Sequence, residues 1–376
     1  YKQEERPSYN ARTISLKRAQ MASIPLLLGS ATPDICTYFH ALKGRYQHLH
    51  LTKRANESDM PDVTIVDMRE ELQSGNKSVI SGKLREALLE TVKRGEQAIV
   101  LLNRRGFSTF VMCRDCGESI MCPHCAVALV YHSAGKALRC HYCGFSLPIP
   151  DECPSCHSRK IKYFGTGTQK AEAAIEELDE EIKILRMDQD STARKFAHEE
   201  ILHDFAAGKA NVLLGTQMVA KGHDIANVTL VGILAADSQL NLPDFRAGEK
   251  TFNLLTQAAG RAGRGGKTGY VVLQTYDADN EIIKLAARQD YDVFAKQELL
   301  VREELLYPPF TQLLKITIVD RTQNTANVLA QRIVNYLQTI GINEPNTDLT
   351  VMGPFPGIVK KVRDLYRINI IVKSTH

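Results

Sequence analysis

Ala98-Ile99-Val100-Leu101-Leu102-Asn103 is an unbroken apolar run of strand length, followed at once by Arg104-Arg105-Gly106-Phe107 and then by a cluster of cysteines. A run that is apolar at both alternating sets of positions suits a strand buried on both faces, as in the middle of a parallel sheet. Similar runs recur at 24–30 (IPLLLGS), 63–67 (VTIVD), 211–216 (NVLLGT), 228–235 (VTLVGILA) and 270–275 (YVVLQT). Amphipathic stretches of helix length at 83–94, 169–178, 193–205 and 249–259 alternate with them. The alternation predicts an α/β fold, a parallel sheet with helices on both faces. The cysteine-rich stretch breaks the rhythm after Asn103, and the rhythm resumes near Gly165, so it reads as an insert. Beyond about residue 290, Pro308-Pro309 punctuates the chain, and LLKITIVD, a helical NTANVLAQRIVNYLQTI and RINIIVKS follow in β-α-β order. That order predicts a small, separate α+β module.

The 376 residues, 44% hydrophobic and 24% charged, suffice for two or three domains with real cores and exclude a disordered tail. Lys and Arg outnumber Asp and Glu by 47 to 43, an excess too small to identify a nucleic-acid partner. No segment approaches the roughly 18 uninterrupted apolar residues of a membrane span, and the polar start YKQEERPSYN has no signal-peptide core. The expectation is a cytoplasmic chain with no membrane partner, whose thiols stay reduced. Clustered cysteines there bind metal more often than they form disulfides. The chain does not begin with Met, which is consistent with part of a longer protein.

Eight of the nine cysteines form four C-x2-C pairs, Cys113/Cys116, Cys122/Cys125, Cys140/Cys143 and Cys153/Cys156. Two such turns complete a tetrahedral four-sulfur shell, the closed geometry of structural zinc, so eight sulfurs make two sites with no open position for hydrolysis. Three groupings are possible. The stretch between Cys125 and Cys140 reads as two β-prone runs around a Gly-containing turn, a zinc-ribbon hairpin with Cys122/Cys125 and Cys140/Cys143 at its open end. Cys113/Cys116 and Cys153/Cys156 then pin the ends of the insert, and this nested arrangement is favoured over sequential or crossed ones. Iron-sulfur spacings do not occur. With eight thiolates at hand, His124, His132, His141 and His157 read as ordinary polar histidines, and Cys36 as a buried apolar residue. Zinc-bound thiolates carry negative charge that the count of Lys and Arg omits, so the folded chain is formally near neutral.

Three strings are expected at the C-terminal ends of strands, where open α/β sheets bind ligands. They are Gly29-Ser30-Ala31-Thr32-Pro33, the run from Gly215 to Asp224 (GTQMVAKGHD), and the run from Gln257 to Gly265 (QAAGRAGRG), which closes a helix and enters a Gly-rich loop. In this order they resemble motifs III, V and VI of the superfamily-two helicases. The eight-cysteine insert between motifs IV and V, together with LLNRRGF, KYFGTGTQ and ADSQLNLPDFRAGE, is similar to the bacterial replication-restart helicases, the primosomal protein N′ family, over essentially the whole chain.

The resemblance implies a RecA-like helicase lobe with a two-zinc Cys-rich insert and a small α+β C-terminal domain. It divides the chain into 1–60, the end of a first RecA-like lobe; 61–108, the start of a second; 109–164, the zinc insert; 165–290, the remainder of the second lobe; and 291–376, an α+β domain that binds DNA or partners. Arg261 and Arg264 would stabilise charge on the γ-phosphate of ATP, and Gln257 would orient water or sense that phosphate. Gly222, Asp224 and Gly260 would line the nucleotide side. Ser30 and Thr32 would couple ATP state to lobe closure, with a plain turn role before Pro33 as the alternative. Tyr1, Lys2 and Tyr9 in the aromatic-charged opening stretch, Arg104, Arg105 and Thr216, and Lys360 and Lys361 within the basic stretch 357–373, are candidate DNA contacts; each also reads as solvated surface or a salt bridge. Implied cofactors are two structural Zn²⁺ and ATP with Mg²⁺. Implied partners are forked and single-stranded DNA, single-stranded DNA-binding protein and other primosome proteins, and the implied polarity is 3′ to 5′. No G-x-x-x-x-G-K-[ST] string and no D-E-x-H string occurs, and the resemblance places both upstream of YKQEE. The chain is therefore expected to carry half an ATP site and no hydrolysis of its own. Two rivals remain, a zinc-containing DNA-binding and assembly scaffold and a zinc-ribbon transcription or RNA factor.

Overall fold

The structure, a computed structural model, describes residues 2–3, 9–51, 60–103, 111–113, 115–125, 127–132, 137–140, 143–163, 168–188, 197–216, 225, 227–263, 267–343, 349–362 and 364–375. The chain opens with a short antiparallel pair, β1 (Lys2–Gln3) and β2 (Tyr9–Asn10), and continues into helices α1 (Ala11–Ala22) and α2 (Ile35–Leu42). There follow β3 (Asp62–Asp67), α3 (Met68–Gln73), α4 (Gly82–Lys93) and β4 (Gln97–Leu102). The insert supplies β5 (Val111–Cys113), β6 (Val130–His132), β7 (Ala137–Arg139), β8 (Ser146–Pro148) and β9 (Ile161–Tyr163). The α/β rhythm then returns with α5 (Thr168–Glu176), β10 (Ile184–Met187), α6 (Ala197–Ala206), β11 (Val212–Gly215), β12 (Val228–Leu234), α7 (Ala247–Ala259), β13 (Tyr270–Thr275), α8 (Glu281–Arg288) and α9 (Tyr291–Glu304). The C-terminal elements are β14 (Gln312–Asp320), α10 (Gln323–Asn343), β15 (Leu349–Val362) and β16 (Leu365–Ser374).

Six strands form one parallel sheet in the order β10-β11-β4-β12-β13-β3. Strand period decides its two faces. Ile99 and Leu101 of β4 point into a core with Phe252 and Leu255 of α7, Ile283 of α8 and Phe294 of α9. Ala98, Val100 and Leu102 point the opposite way, onto Leu84 and Leu88 of α4 and Ile175 of α5. Each fully buried leucine contributes about 1.5–3 kcal/mol of hydrophobic stabilisation, which is why the uninterrupted apolar runs became central strands. This is the RecA-like lobe with helices on both faces.

The apolar run at 24–30 departs from expectation. It forms no strand, and Leu27 is 83% exposed. A doubly apolar strand is stable only between neighbours, and none lies beside it among the described residues. The chain turns after it at Pro33, and α2 packs Ile35 and Tyr38 into the sheet's helical core. The β-α-β order of the last module is also incomplete. β15 precedes β16, and the antiparallel order is β14-β16-β15, with β16 central. Ile368, Ile370 and Val372 of β16 face α10 through Ala326, Ala330 and Val334. Ile371 faces away, onto the insert. Among the described residues no helix is long and apolar enough to cross a membrane.

Candidate functional site

β5 and β9 pair antiparallel and close the ends of the insert, with Cys113 opposite Ile161. Between them β6 and β7 form the expected hairpin, and β8 adds a third strand. The thiol sulfurs gather as two tetrads in the nested grouping, Cys113, Cys116, Cys153 and Cys156, and Cys122, Cys125, Cys140 and Cys143, each tetrad with all sulfurs within 4.8 Å of one another. Sγ–Sγ separations are 3.6 Å for Cys113–Cys156, 3.5 Å for Cys116–Cys153 and 3.6 Å for Cys122–Cys143. A tetrahedral Zn–S shell has edges of about 3.8 Å, so both tetrads fit zinc, and as closed four-sulfur shells they would supply structure. Among the described residues no histidine joins either tetrad; His124 instead stands edge-on to Phe145.

The knuckles are shaped by one backbone requirement. The residue after the second cysteine turns left-handed so that its N–H returns to the first cysteine's carbonyl: Gly117 (φ 78°), Gly144 (φ 77°) and His157 (φ 59°) donate to Cys113, Cys140 and Cys153. Gly117 has a second constraint, because a Cβ there would lie 2.0 Å from the carbonyl oxygen of Tyr276, just past the end of β13. Arg69 reaches the same knuckle, donating to the Cys116 carbonyl at 2.8 Å while bound to Asp67. The first tetrad is thus seated on the carboxyl end of the parallel sheet. Gly117→Ala should keep two zinc ions yet lose about 2–3 kcal/mol, from left-handed strain and backbone overlap; metal analysis with urea unfolding checks it.

The second tetrad is seated elsewhere. Cys122, Cys125 and Cys140 share a core with Leu129, Leu138, Tyr307, Phe355 and Ile371, so the hairpin and the C-terminal sheet bury one another. Tyr307 donates to the Cys125 carbonyl at 3.3 Å. The Lys373 amine lies 4.1 Å from the centre of the Tyr307 ring and donates to the Leu305 carbonyl, and desolvation lowers its pKa. Lys373 is therefore spent on packing, although it belongs to the basic stretch 357–373.

The helicase-like strings lie around the RecA-like sheet at different depths. Thr216 directly follows β11, its N–H bound to the Met187 carbonyl; Gly222 and Asp224 lie outside the described residues. The string beginning at Gln257 stands, as expected, at the close of a helix. It closes α7, where Gln257 is exposed on a helix whose neighbouring residues Thr256, Ala258 and Ala259 are buried. Gly260 caps the helix, Arg261 is half-buried, and Gly263 (φ 73°) donates to the Val228 carbonyl at the start of β12. A Cβ on Gly263 would meet Gly269 backbone at 2.3 Å, so the loop is pinned flat against the chain entering β13. Arg264 lies outside the described residues, as do Tyr1, Arg104 and Arg105. Lys2 pairs through its backbone with Asn10, and Tyr9 is 46% exposed. Lys360 and Lys361 belong to β15, Lys361 opposite Tyr366; their side chains are outside the described set. The string at Gly29 lacks the strand expected before it. There the Ser30 hydroxyl accepts from the Thr32 N–H at 3.1 Å, a turn that leads into Pro33.

The stretch from Ala236 to Glu249 holds residues to which the sequence assigned no task. It crosses the carboxyl ends of β4, β12 and β13: Asn103 donates to the Ala236 carbonyl, Ser238 bonds the Asn103 carbonyl, and Asp237 accepts from the Thr275 hydroxyl at 2.9 Å and the Tyr276 N–H at 3.1 Å. Burial pushes the Asp237 pKa up, against those two hydrogen bonds. A raised folded-state pKa gives stability that is complete at low pH and lost as pH rises through that value. Asp237→Asn keeps the acceptor and does not titrate. Its melting temperature relative to the natural chain should therefore climb as pH rises from the ordinary carboxylate range through the raised folded-state value, and a constant difference would reject the buried-proton account. Further on, Arg302 (1% exposed) donates to Glu249 and Glu298, each at 2.8 Å, forming a buried ion triad between α7 and α9. The i, i+4 pair of Glu298 and Arg302 inside α9 was a visible sequence signal for it.

Residues 122–148 match the family model described as the PriA DNA helicase Cys-rich region domain, and residues 153–266 match that of the Helicase conserved C-terminal domain. Fold and site thus define a helicase-type RecA-like domain interrupted by a zinc-ribbon insert. Across 99% of its length the chain is 47% identical to the Replication restart protein PriA of Bacillus subtilis (strain 168), covering 46% of that relative. The namesakes from Synechocystis sp. and Haemophilus influenzae are 40% and 37% identical over 98% and 99% of the chain, and 45% and 50% of their own lengths. The chain belongs to the PriA family of replication restart proteins. It spans about half the length of the curated relatives it matches. Among solved structures, S. cerevisiae Dbp5 bound to RNA and ADP BeF3 gives a TM-score of 0.39 at 15% identity over 78% of this chain and 58% of that one, too loose a likeness to add to the strand order.

Proposed function

We propose that this chain supplies the second motor lobe, zinc insert and C-terminal domain of an ATP-dependent DNA helicase of replication restart. The observation carrying this reading is a PriA-type cysteine insert within a RecA-like sheet whose α7 ends in Gln257, Gly260 and Arg261. Arg261 and Arg264 would enter the cleft between lobes and stabilise charge on the transferring γ-phosphate, an effect worth roughly 10³- to 10⁵-fold in rate. Gln257, on the solvent side of α7, would order the attacking water. Gly222, Asp224 and Gly260 would line the nucleotide, and Ser30 and Thr32 would report its state. Thr216, Arg104, Arg105, Lys360, Lys361 and the opening Tyr1, Lys2 and Tyr9 would hold DNA, through contacts that weaken steeply with salt. Forked DNA, 3′-to-5′ movement, single-stranded DNA-binding protein and the primosome proteins belong to the same proposal.

The pure 376-residue chain should not hydrolyse ATP, since its sequence holds no G-x-x-x-x-G-K-[ST] loop. Joined to a half that carries one, it should show DNA-stimulated hydrolysis that Arg264→Ala lowers by about 10³-fold or more. Metal-dependent hydrolysis by the chain alone, abolished by Arg264→Ala, would overturn the half-site. The alternative is a non-catalytic zinc-containing scaffold for primosome assembly, favoured by the insert's shared core with the C-terminal sheet. It gains if Arg264→Ala in the longer protein leaves unwinding intact while Cys→Ser changes abolish partner loading.

A further inference from the structure

An unbroken series of contacts runs from the second cysteine tetrad to the turn that carries Ser30 and Thr32. It begins at Cys125, whose carbonyl accepts from the Tyr307 hydroxyl. The Tyr307 ring stacks on Phe245, centroids 4.7 Å apart and planes 12° from parallel. The Arg302 guanidinium lies 5.2 Å from the centre of the Phe245 ring. Arg302 then grips Glu249 and Glu298, and the other oxygen of Glu249 accepts from the Ile35 N–H at 3.2 Å. Ile35 is the first residue of α2, three positions beyond Thr32. Beside it the Tyr291 hydroxyl donates to the Pro33 carbonyl at 2.7 Å, so α9 holds the turn through a second bond.

The backbone is bent to make this possible. Leu306, before Tyr307, has φ 51°, a left-handed conformation unusual for leucine, and it is held by the Tyr307 N–H to the Arg302 carbonyl and the Thr311 hydroxyl to the Leu306 carbonyl. Such strain persists where surrounding contacts over-determine it. It turns the Tyr307 ring back beneath Phe245, toward the hairpin. Cys125, Tyr307, Arg302, Glu249 and Ile35 are buried and Phe245 is half-buried among them, and the guanidinium has two carboxylates in fixed places, so a shift of the knuckle displaces the Glu249 carboxylate rather than dissipating in solvent.

We propose that Arg302 and Glu249 are positioning residues that couple the Cys122–Cys143 metal site to the Ser30–Asp34 turn. The assignment of nucleotide-coupled closure to Ser30 and Thr32 rests on the helicase reading; the coupling itself does not. Coupling between two sites is reciprocal, so each end reports on the other.

The test uses the zinc-loaded 376-residue chain. Hydrogen exchange is followed at the Ile35 amide, with the Val100 amide of β4 as an internal standard, and zinc release from each tetrad is followed in excess chelator. Tyr307→Phe deletes one hydroxyl and touches neither Ile35 nor Glu249. It should speed release from the second tetrad at least about threefold, leave the first unchanged, and speed Ile35 exchange by a similar factor with Val100 unaffected. Glu249→Gln keeps an acceptor for Ile35 but loses the charge that holds Arg302, and it should accelerate Ile35 exchange and, reciprocally, zinc release from the second tetrad. The proposal falls if Tyr307→Phe alters zinc release without altering Ile35, or if Glu249→Gln alters Ile35 without altering zinc release. It also falls if Ile35 and Val100 accelerate together, which marks a brace for the whole fold. No ATP or DNA enters these measurements, so failure of the helicase reading, seen as no DNA-stimulated hydrolysis by the longer protein, would leave this result standing.

Discussion

Cys140→Ser should reduce bound zinc from two ions to one per chain and melt the β6–β7 hairpin together with the C-terminal sheet, leaving the first tetrad and the parallel sheet folded. Cys140 is buried in the core that joins the hairpin to Tyr307, Phe355 and Ile371. A structural zinc site holds about 10–16 kcal/mol of apparent folding free energy, as much as a whole domain's net stability of about 5–15 kcal/mol. Losing one of four ligands therefore leaves this unit without the energy that orders it. The two cores of the parallel sheet contain no cysteine of either tetrad. Cys156→Ser makes the contrast, since Cys156 is exposed and belongs to the other tetrad. It too should leave one zinc, but with the shared core intact. Elemental analysis and calorimetry on both variants decide the matter; a single joint transition in Cys140→Ser, or loss of both ions, would reject two independently seated tetrads.

Arg302→Ala should cost about 3–5 kcal/mol, the typical result of removing one member of a buried ion cluster. What remains is two carboxylates, Glu249 and Glu298, facing one another in a site that is 8% and 10% exposed at their side chains. Burial already pushes the Glu298 pKa up, with Arg302 opposing it. Without the guanidinium the folded-state pKa rises further, and a raised pKa means stability that is present at low pH and lost as pH rises. The deficit in urea unfolding should accordingly widen as pH rises above the ordinary carboxylate range. Glu249→Gln and Glu298→Gln added to Arg302→Met should recover much of it, because replacing a whole buried charge cluster by neutral groups is far cheaper than breaking it. A pH-independent deficit would mean that lost packing over Phe245, not exposed charge, dominates.

Most of the architecture was readable because central parallel strands must be apolar on both sides. That rule found β4, β11, β12 and β13, and the apolar edge strand β3 with them, but passed over β10, a four-residue edge strand whose Arg186 bonds Glu172 and whose first three residues are only half-buried. The same rule misread residues 24–30, since apolarity alone does not supply a neighbouring strand. The nested cysteine grouping was readable because a hairpin of the observed length leaves its two C-x2-C turns side by side. Glu249 and Arg302 were not, because their contact joins helices 53 positions apart. Lys373 shows the converse limit, in that a basic residue in a basic stretch is half-buried over a tyrosine ring, and local charge gives no warning of it.

The position of β3 in the sheet bears on how the chain is made. β3 is an edge strand whose sheet neighbour is β13, with Val63 beside Val271 and Ile65 beside Leu273. On a ribosome adding about 5–20 residues per second, the roughly 200 residues between them take about 10–40 seconds to appear. Throughout that interval Val63 and Ile65 have an unpaired backbone and an uncovered face, the condition in which nascent strands pair with the wrong chain. β4, β11 and β12 can assemble first, and the finished sheet then waits for one distant strand to capture the other. Slowed translation past Thr275 should thus have little effect on yield, whereas a pause between Asp67 and Tyr270 should lower it.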